Sequence, residues 1–201
     1  PEALMTITNR RRALFAALCT LGSFLFATHA SATVMVEIPF ERLTREADLI
    51  VHARVLRTGS RMTQEAGHFE PHTVSTLQVL GTLRGQANGE VLIDEIGGTS
   101  TRGTTWIAGT PRYRMNEEVV VFLRRLPTGA YRTHGMAQGH FEVLPGVPGT
   151  AALVARDTQT IGMATWQNGQ MSVTSGRVVT MPLDAFLAYV RQLSGALGGA
   201  Q

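Results

Sequence analysis

Apolar residues recur along most of this chain with a period of two, the mark of strands half-buried in a sheet. Residues 47–57, ADLIVHARVLR, are the strongest case. If extended, Leu49, Val51, Ala53 and Val55 share one face, and Ile50, His52, Arg54 and Leu56 share the other. The first face is wholly apolar and the second is mixed. Such a strand meets a core on one side and is partly covered on the other. Further strands are predicted over residues 73–80, 89–96, 117–125, 131–134 and 140–144, with a short edge strand at 33–38. Residues 58–67 are polar and read as a loop, and 97–104 as a flexible Gly-rich connection. Beyond Pro148, a strand is predicted at 151–155, and strands at 163–166 and 170–173 flank Asn168-Gly169, a strong hairpin signal.

Two stretches carry the helical period instead. Pro39 opens a short helix whose stripe is Phe40, Leu43 and Ala47. After Pro182, residues Leu183, Phe186, Leu187, Val190 and Leu193 form one apolar face, with Gly195 as the stop and 194–201 as a flexible tail. Short strands punctuated by Gly and Pro, without long helices between them, predict a mainly β fold, a barrel or a sandwich. No internal repeat and no second foldable domain is evident, so residues 33–193 are read as one domain.

The first 32 residues change the picture of charge. Asn9 and Arg10–Arg12 form a basic n-region, 13–27 an apolar h-region, and Ala30-Ser31-Ala32 a cleavage box. The run is shorter than the ~20 apolar residues of a membrane span, so a cleaved signal peptide is expected, with export to the periplasm or beyond. Met5 reads as the initiator and Thr33 as the mature start. Arg10-Arg11-Arg12-Ala13-Leu14 also fits a loose twin-arginine pattern, but an ordinary Sec leader is preferred. Without the leader, 15 Arg face 14 Asp and Glu, and there is no Lys. A nucleic-acid binder would carry a basic domain, so nucleic acid is not expected as a partner. The one cysteine, Cys19, lies in the leader. The mature domain therefore stands on its core without disulfides, and thiol catalysis is excluded.

Candidate chemistry is sparse. His68, Glu70 and His72 share a face if extended and are a conceivable metal set, against a polar strand edge as the plain alternative. His134 and His140 could join them only if the fold brings them near His72. Asp94-Glu95 and Glu117-Glu118 point to opposite faces and cannot act as acid and base from one cleft, although Asp94 could meet Glu118 across strands. The stretch 97–103, GGTSTRG, lacks the lysine of a phosphate loop, and no G-x-S-x-G elbow occurs. Arg102, Trp106, Arg112, Tyr113 and Arg114 gather in and after the long loop, where a partner could bind. An arginine rim paired with Glu117, Glu118 and Glu142 is the plainer reading.

A short helix leading into ADLIVHARV, then LQVLGTLRG, VLIDEIGG and NEEVVVFLRR, resembles exported bacterial domains of unknown function with an oligonucleotide/oligosaccharide-binding (OB) barrel. The pattern covers about residues 40–144 and is similar to netrin and metalloproteinase-inhibitor modules. That resemblance implies an OB-like barrel, closed or partly open, with a short N-terminal and an amphipathic C-terminal helix. The inhibitors reach a target's metal through an N-terminal cysteine, which this chain lacks, so their mechanism does not carry over. The expectation is an exported, non-catalytic binding protein without cofactor, its partner a protein or small molecule. A metal-binding protein or metal-dependent hydrolase centred on His68, Glu70 and His72 is the alternative.

Overall fold

The computed structural model describes residues 33–65 and 67–198. The expected leader, with Arg10–Arg12 and Cys19, lies outside the described residues, as does the end of the expected tail. The described chain is mainly β. Strand β1 (Thr33–Val36) and helix α1 (Phe40–Glu46) lead into β2 (Leu49–Glu65) and β3 (His68–Arg84), a hairpin of two 17-residue arms. Then come β4 (Glu90–Ile96), a small hairpin β5–β6 (Gly98–Ser100, Gly103–Thr105), β7 (Glu118–Arg125), β8 (Tyr131–Thr133) and β9 (His140–Leu144). The remainder is β10 (Leu153–Asp157), β11 (Ile161–Gln167), β12 (Gln170–Ser175), β13 (Val178–Pro182) and helix α2 (Leu183–Gly198).

The large sheet has the order β13-β10-β9-β7-β2-β3-β4-β8, and an added β7–β8 pairing returns its end to β7. Strands β9, β10 and β13 branch away from that same β7, so the sheet is not a clean barrel. A 3-10 turn at Met136–Gly139 is the cause of the branching. It interrupts the chain between β8, which pairs with Leu123–Arg125, and β9, which pairs with Val119–Val121.

Two cores fill the two faces of this sheet. Leu49, Val51, Ala53 and Val55 of β2 join Leu77, Val91, Ile93, Val119, Val121, Leu123 and Tyr131 in the first. Ile50, Val120, Phe122, Phe141 and Val143 meet Leu43 of α1 and Phe186, Leu187 and Val190 of α2 in the second. Strand β7 alternates between them, which explains its unbroken apolar run. Phe40 anchors α1 by packing its ring 5.5 Å from Phe122 and 5.7 Å from Phe186. Each fully buried Val, Leu, Ile or Phe of these cores contributes about 1.5–3 kcal/mol.

The structure departs from the expected elements at four places. Residues 58–65 are not loop but the distal arm of β2, held by pairing with β3 from Thr58↔Ser75 to Glu65↔His68. Residues 98–105 form a hairpin rather than an open connection. Strand β13 has no alternating signal because all five residues are exposed, and its pairing with β10 holds it. Gly195 does not stop α2, which runs on to Gly198. A glycine inside a helix costs only about 1 kcal/mol and leaves the hydrogen bonds intact. At Asn168-Gly169, φ values of 52° and 78° make the expected tight turn between β11 and β12.

Candidate functional site

After β6 the chain crosses the end of the first core as an extended segment. Its residues alternate outward and inward because period two leaves no other choice. Tyr113 points in and is 4% exposed, while Arg112 and Arg114 are exposed on either side. The Tyr113 hydroxyl bonds the Thr133 hydroxyl at 2.5 Å, and its ring meets His140 edge-on at 5.1 Å. Tyr113 thus does not face a partner. It is the plug that fixes its arginine neighbours.

Glu95 lies beside this plug. Val91, Ile93 and Glu95 follow period two along β4, which carries the carboxyl to the end of the apolar row. Its Oε1 accepts the Thr133 backbone N–H at 2.8 Å. Burial pushes the Glu95 carboxyl up to about 7, against the Thr133 hydrogen bond and the Arg132 charge. Burial, then the nearby Glu95, also holds the Tyr113 hydroxyl well above its ordinary range. His140 is pushed down to about 4, by burial first and by Arg114 second. Its Nε2 is buried with no hydrogen-bond partner among the described residues.

Two clefts flank the segment. One, of about 360 Å³, is lined by Ser60, Thr73, Thr104, Trp106, Arg112 and Arg114. The other, of about 400 Å³, is lined by Trp106, Arg114, Glu117, His140, Glu142 and Asp157. Trp106 is 50% exposed between them, and the Arg112 guanidinium sits 5.1 Å over its ring. Glu117 accepts the Arg114 backbone N–H at 2.8 Å, and burial raises its carboxyl above the usual range. Arg114, Glu117 and Glu142 also border a third depression, of about 850 Å³, with Arg54 and Glu118. Arg102 is exposed in the β5–β6 turn and lines neither cleft beside Trp106.

His68, Glu70 and His72 are on one strand but not in one environment. His68 and Glu70 are exposed on the distal arm, whereas His72 is 1% exposed and bonds Asp94 through Nδ1 at 2.5 Å. Asp94 also accepts from Arg61 at 2.7 Å. His134 instead faces Glu46 at 3.2 Å, and His140 faces Tyr113, so the histidines occupy separate places. Among the described residues no group of three His, Cys, Asp or Glu side chains could hold a metal ion. Asp94 does not meet Glu118, whose carboxylate is taken by His52 at 2.7 Å and Arg54 at 3.0 Å. Asp94 and Glu95 serve opposite faces of β4, as period two requires.

Sequence reasoning does not single out the polar cluster of Glu95, Thr133, Tyr113 and His140. The V-L-I-D-E alternation, extended by one step, carries Glu95 to it. No local signal brings His140 there. Among the described residues, no helix is long and apolar enough to cross a membrane. No family model, no curated protein and no solved structure matches this chain.

Proposed function

We propose that this chain is an exported, non-catalytic binding protein, and that it binds its partner across Trp106, Arg112 and Arg114. The observation that carries the reading is the half-exposed Trp106, topped by Arg112 and set between two clefts. A tryptophan face flanked by arginine and carboxylate offers an apolar platform with directional polar groups at its rim, the usual make-up of a binding site. The buried Tyr113 holds this display rigid. The buried groups with shifted protonation, Glu95, Tyr113 and His140, are engaged in packing and in the Thr133 hydrogen bonds, and they compose no nucleophile and base pair.

The OB-type reading of the fold belongs to the same proposal. Strands β2, β3, β4, β8 and β7 follow one another in a cycle, with β4–β8 parallel and the other pairs antiparallel. A five-stranded Greek-key ring of this kind uses the face of its second and third strands and the adjoining loops for ligands. The segment bearing Trp106 follows β4, the third strand of that ring, through the β5–β6 hairpin. Export rests on the basic, apolar and small-residue order of residues 9–32.

The test is a ligand screen on protein recovered after export, with glycans, peptides and small acids as probes. Hits are expected to lose at least tenfold in affinity on Trp106→Ala and on Arg114→Ala, with an unchanged circular dichroism spectrum. Hits insensitive to both substitutions would move the site off this surface. Mass spectrometry is expected to find a chain starting near Thr33, and secreted material still carrying residues 10–32 would sink the export claim.

A further inference from the structure

Strands β1, β11 and β12 form a separate three-stranded sheet, with β11 in the middle. Register places Val34 beside Gly162 and Ser175, Val36 beside Ala164 and Val173, and Trp166 beside Met171. Residues paired in register share a face. A Cβ on Gly162 would lie 3.2 Å from Val173 Cγ1 and 3.3 Å from Val34 Cγ2, which places those two valines astride the glycine. One face therefore shows Val34, Val36, Trp166, Met171 and Val173, each between 48% and 63% exposed. Gly162 and Ala164 make a low floor between the two ridges. The opposite face is the one that carries the buried Ile161 and Met163.

Nothing in these strands protects that face. TVMV, IGMATWQ and QMSVTS contain no charged residue, no proline and no histidine. The β11–β12 pairing runs through six consecutive pairs without a bulge. Every residue of β12 is exposed, and β12 has no strand neighbour beyond β11 among the described residues. Soluble proteins normally guard such an edge with charges, prolines or bulges. Other exposed apolar residues, such as Met62 and Phe69 on the distal β2–β3 arm and Leu144 and Leu153 across β9 and β10, lie on other elements.

We propose that this face packs against the same face of a second copy of the chain, around a twofold axis. A twofold interface asks one patch to complement itself, and an uncharged pair of apolar ridges around a small-residue hollow does so without charge repulsion. With side-chain areas of about 150–250 Å² for the larger residues, the five expose on the order of 500 Å² per copy. That is the greater part of the ~800 Å² per partner of a specific interface, and Ser175, which register places on the same face, adds polar area at its edge. A lipid surface fits less well, because a membrane-seated face is rimmed by Lys and Arg, which these strands lack. The face shares no residue with those assigned to ligand binding, so the two proposals stand or fall separately.

The test is the solution mass of the exported protein by sedimentation equilibrium across about 0.1–100 μM, which brackets a micromolar dissociation constant. A dimer is expected. Val173→Arg and Met171→Glu, each on a fully exposed strand and so harmless to the core, are expected to give a monomer with unchanged circular dichroism. Phe69→Arg, on the distal arm of β3, is expected to leave the dimer intact. A wild-type monomer throughout the range would overturn the proposal, as would a dimer that survives both β12 variants. A monomer that binds neutral lipid vesicles through Trp166 would overturn it as well and assign the face to lipid.

Discussion

Strand β2 is one element with two unlike halves. From Leu49 to Val55 its apolar face has side chains of at most 1% exposure, and the strand is flanked by β3 and β7. From Arg57 onward β7 no longer accompanies it, and most of the arm is exposed with only β3 beside it for most of its length. The first half is held by burial and the second by backbone pairing. The contrast teaches that strand geometry continues where the core stops, as long as the ladder partner continues. It also shows where polar chemistry collects. Glu95 opposes Thr73, which opposes Ser60, and Arg61 opposes His72. Both the Glu95 cluster and the His72–Asp94–Arg61 network thus sit where β2 passes from one regime to the other.

A charge placed in each half is the strongest way to break the comparison. Val51 is 0% exposed in the first core, with no partner for a carboxylate. Val51→Asp is expected to exceed what a domain's ~5–15 kcal/mol of stability can absorb, giving an unfolded or insoluble chain. Met62, 50% exposed on the distal arm, should accept aspartate within about 0.5 kcal/mol. Urea unfolding followed by circular dichroism measures both. A folded Val51→Asp protein would show that the core is misplaced, and a large loss in Met62→Asp would show that the distal arm is not held by backbone pairing alone.

The boundary between the halves is sharpened by pH. Glu95 has a folded value of about 7 against 4.5 for an ordinary glutamate, so the folded state holds a proton that the unfolded state has released. Its contribution is fully present below pH 4.5 and is lost as pH rises to 7, by about 3 kcal/mol. His140 falls from 6.5 to about 4, so the unfolded state binds the extra proton. Its contribution is present above pH 6.5 and is lost as pH falls to 4, again by about 3 kcal/mol. Between pH 4.5 and 6.5 the two slopes oppose each other, and wild-type stability should vary little on their account. Glu95→Gln keeps an acceptor for the Thr133 N–H and should unmask stability that rises with pH. His140→Phe should unmask stability that falls with pH. Urea midpoints taken every half unit from pH 4 to 7.5 check this, and parallel profiles for wild type and both variants would refute the assignment.

The same division explains what can be read from the amino-acid order. Burial imposes alternation, so Leu49–Val55, the run at Val119–Leu123 and the stripe of α2 are legible residue by residue. Asn168-Gly169 is legible because its turn demands positive φ. The distal arm, T-G-S-R-M-T-Q-E, is held by a ladder that accepts almost any side chain and so leaves no pattern. Strand β13 is silent for the same reason. At the site, Trp106 and the two arginines are visible as residue types that favour contact. Tyr113 groups with them in sequence because its neighbours are arginines, yet the inward step between two outward ones makes it core. His140 reaches its cleft only through the 3-10 turn that separates β8 from β9, a tertiary event with no local cue beyond Gly135 and Gly139.

The smallest expected effect tests the other face of the buried half. His52 lies on β2 between Val51 and Ala53, both fully buried, but its own side chain is 17% exposed and meets Glu118 at 2.7 Å. Burial pushes the Glu118 carboxyl up, but hydrogen bonds from Arg54 and His52 more than offset it and leave the group below its usual range. His52→Ala removes one of these two donors, while Arg54 stays 3.0 Å from Oε2. The remaining pair is partly solvated, so the loss should be below about 1 kcal/mol. For a domain of this size that is a fall of about 2–4 °C in Tm. Two residues adjacent in sequence would then differ from global unfolding to a shift of a few degrees, with only the side of the sheet changed. A fall beyond 10 °C in His52→Ala would mean that the second core, which Ile50 joins on this same face, extends to His52, and that the division of β2 runs along its length alone.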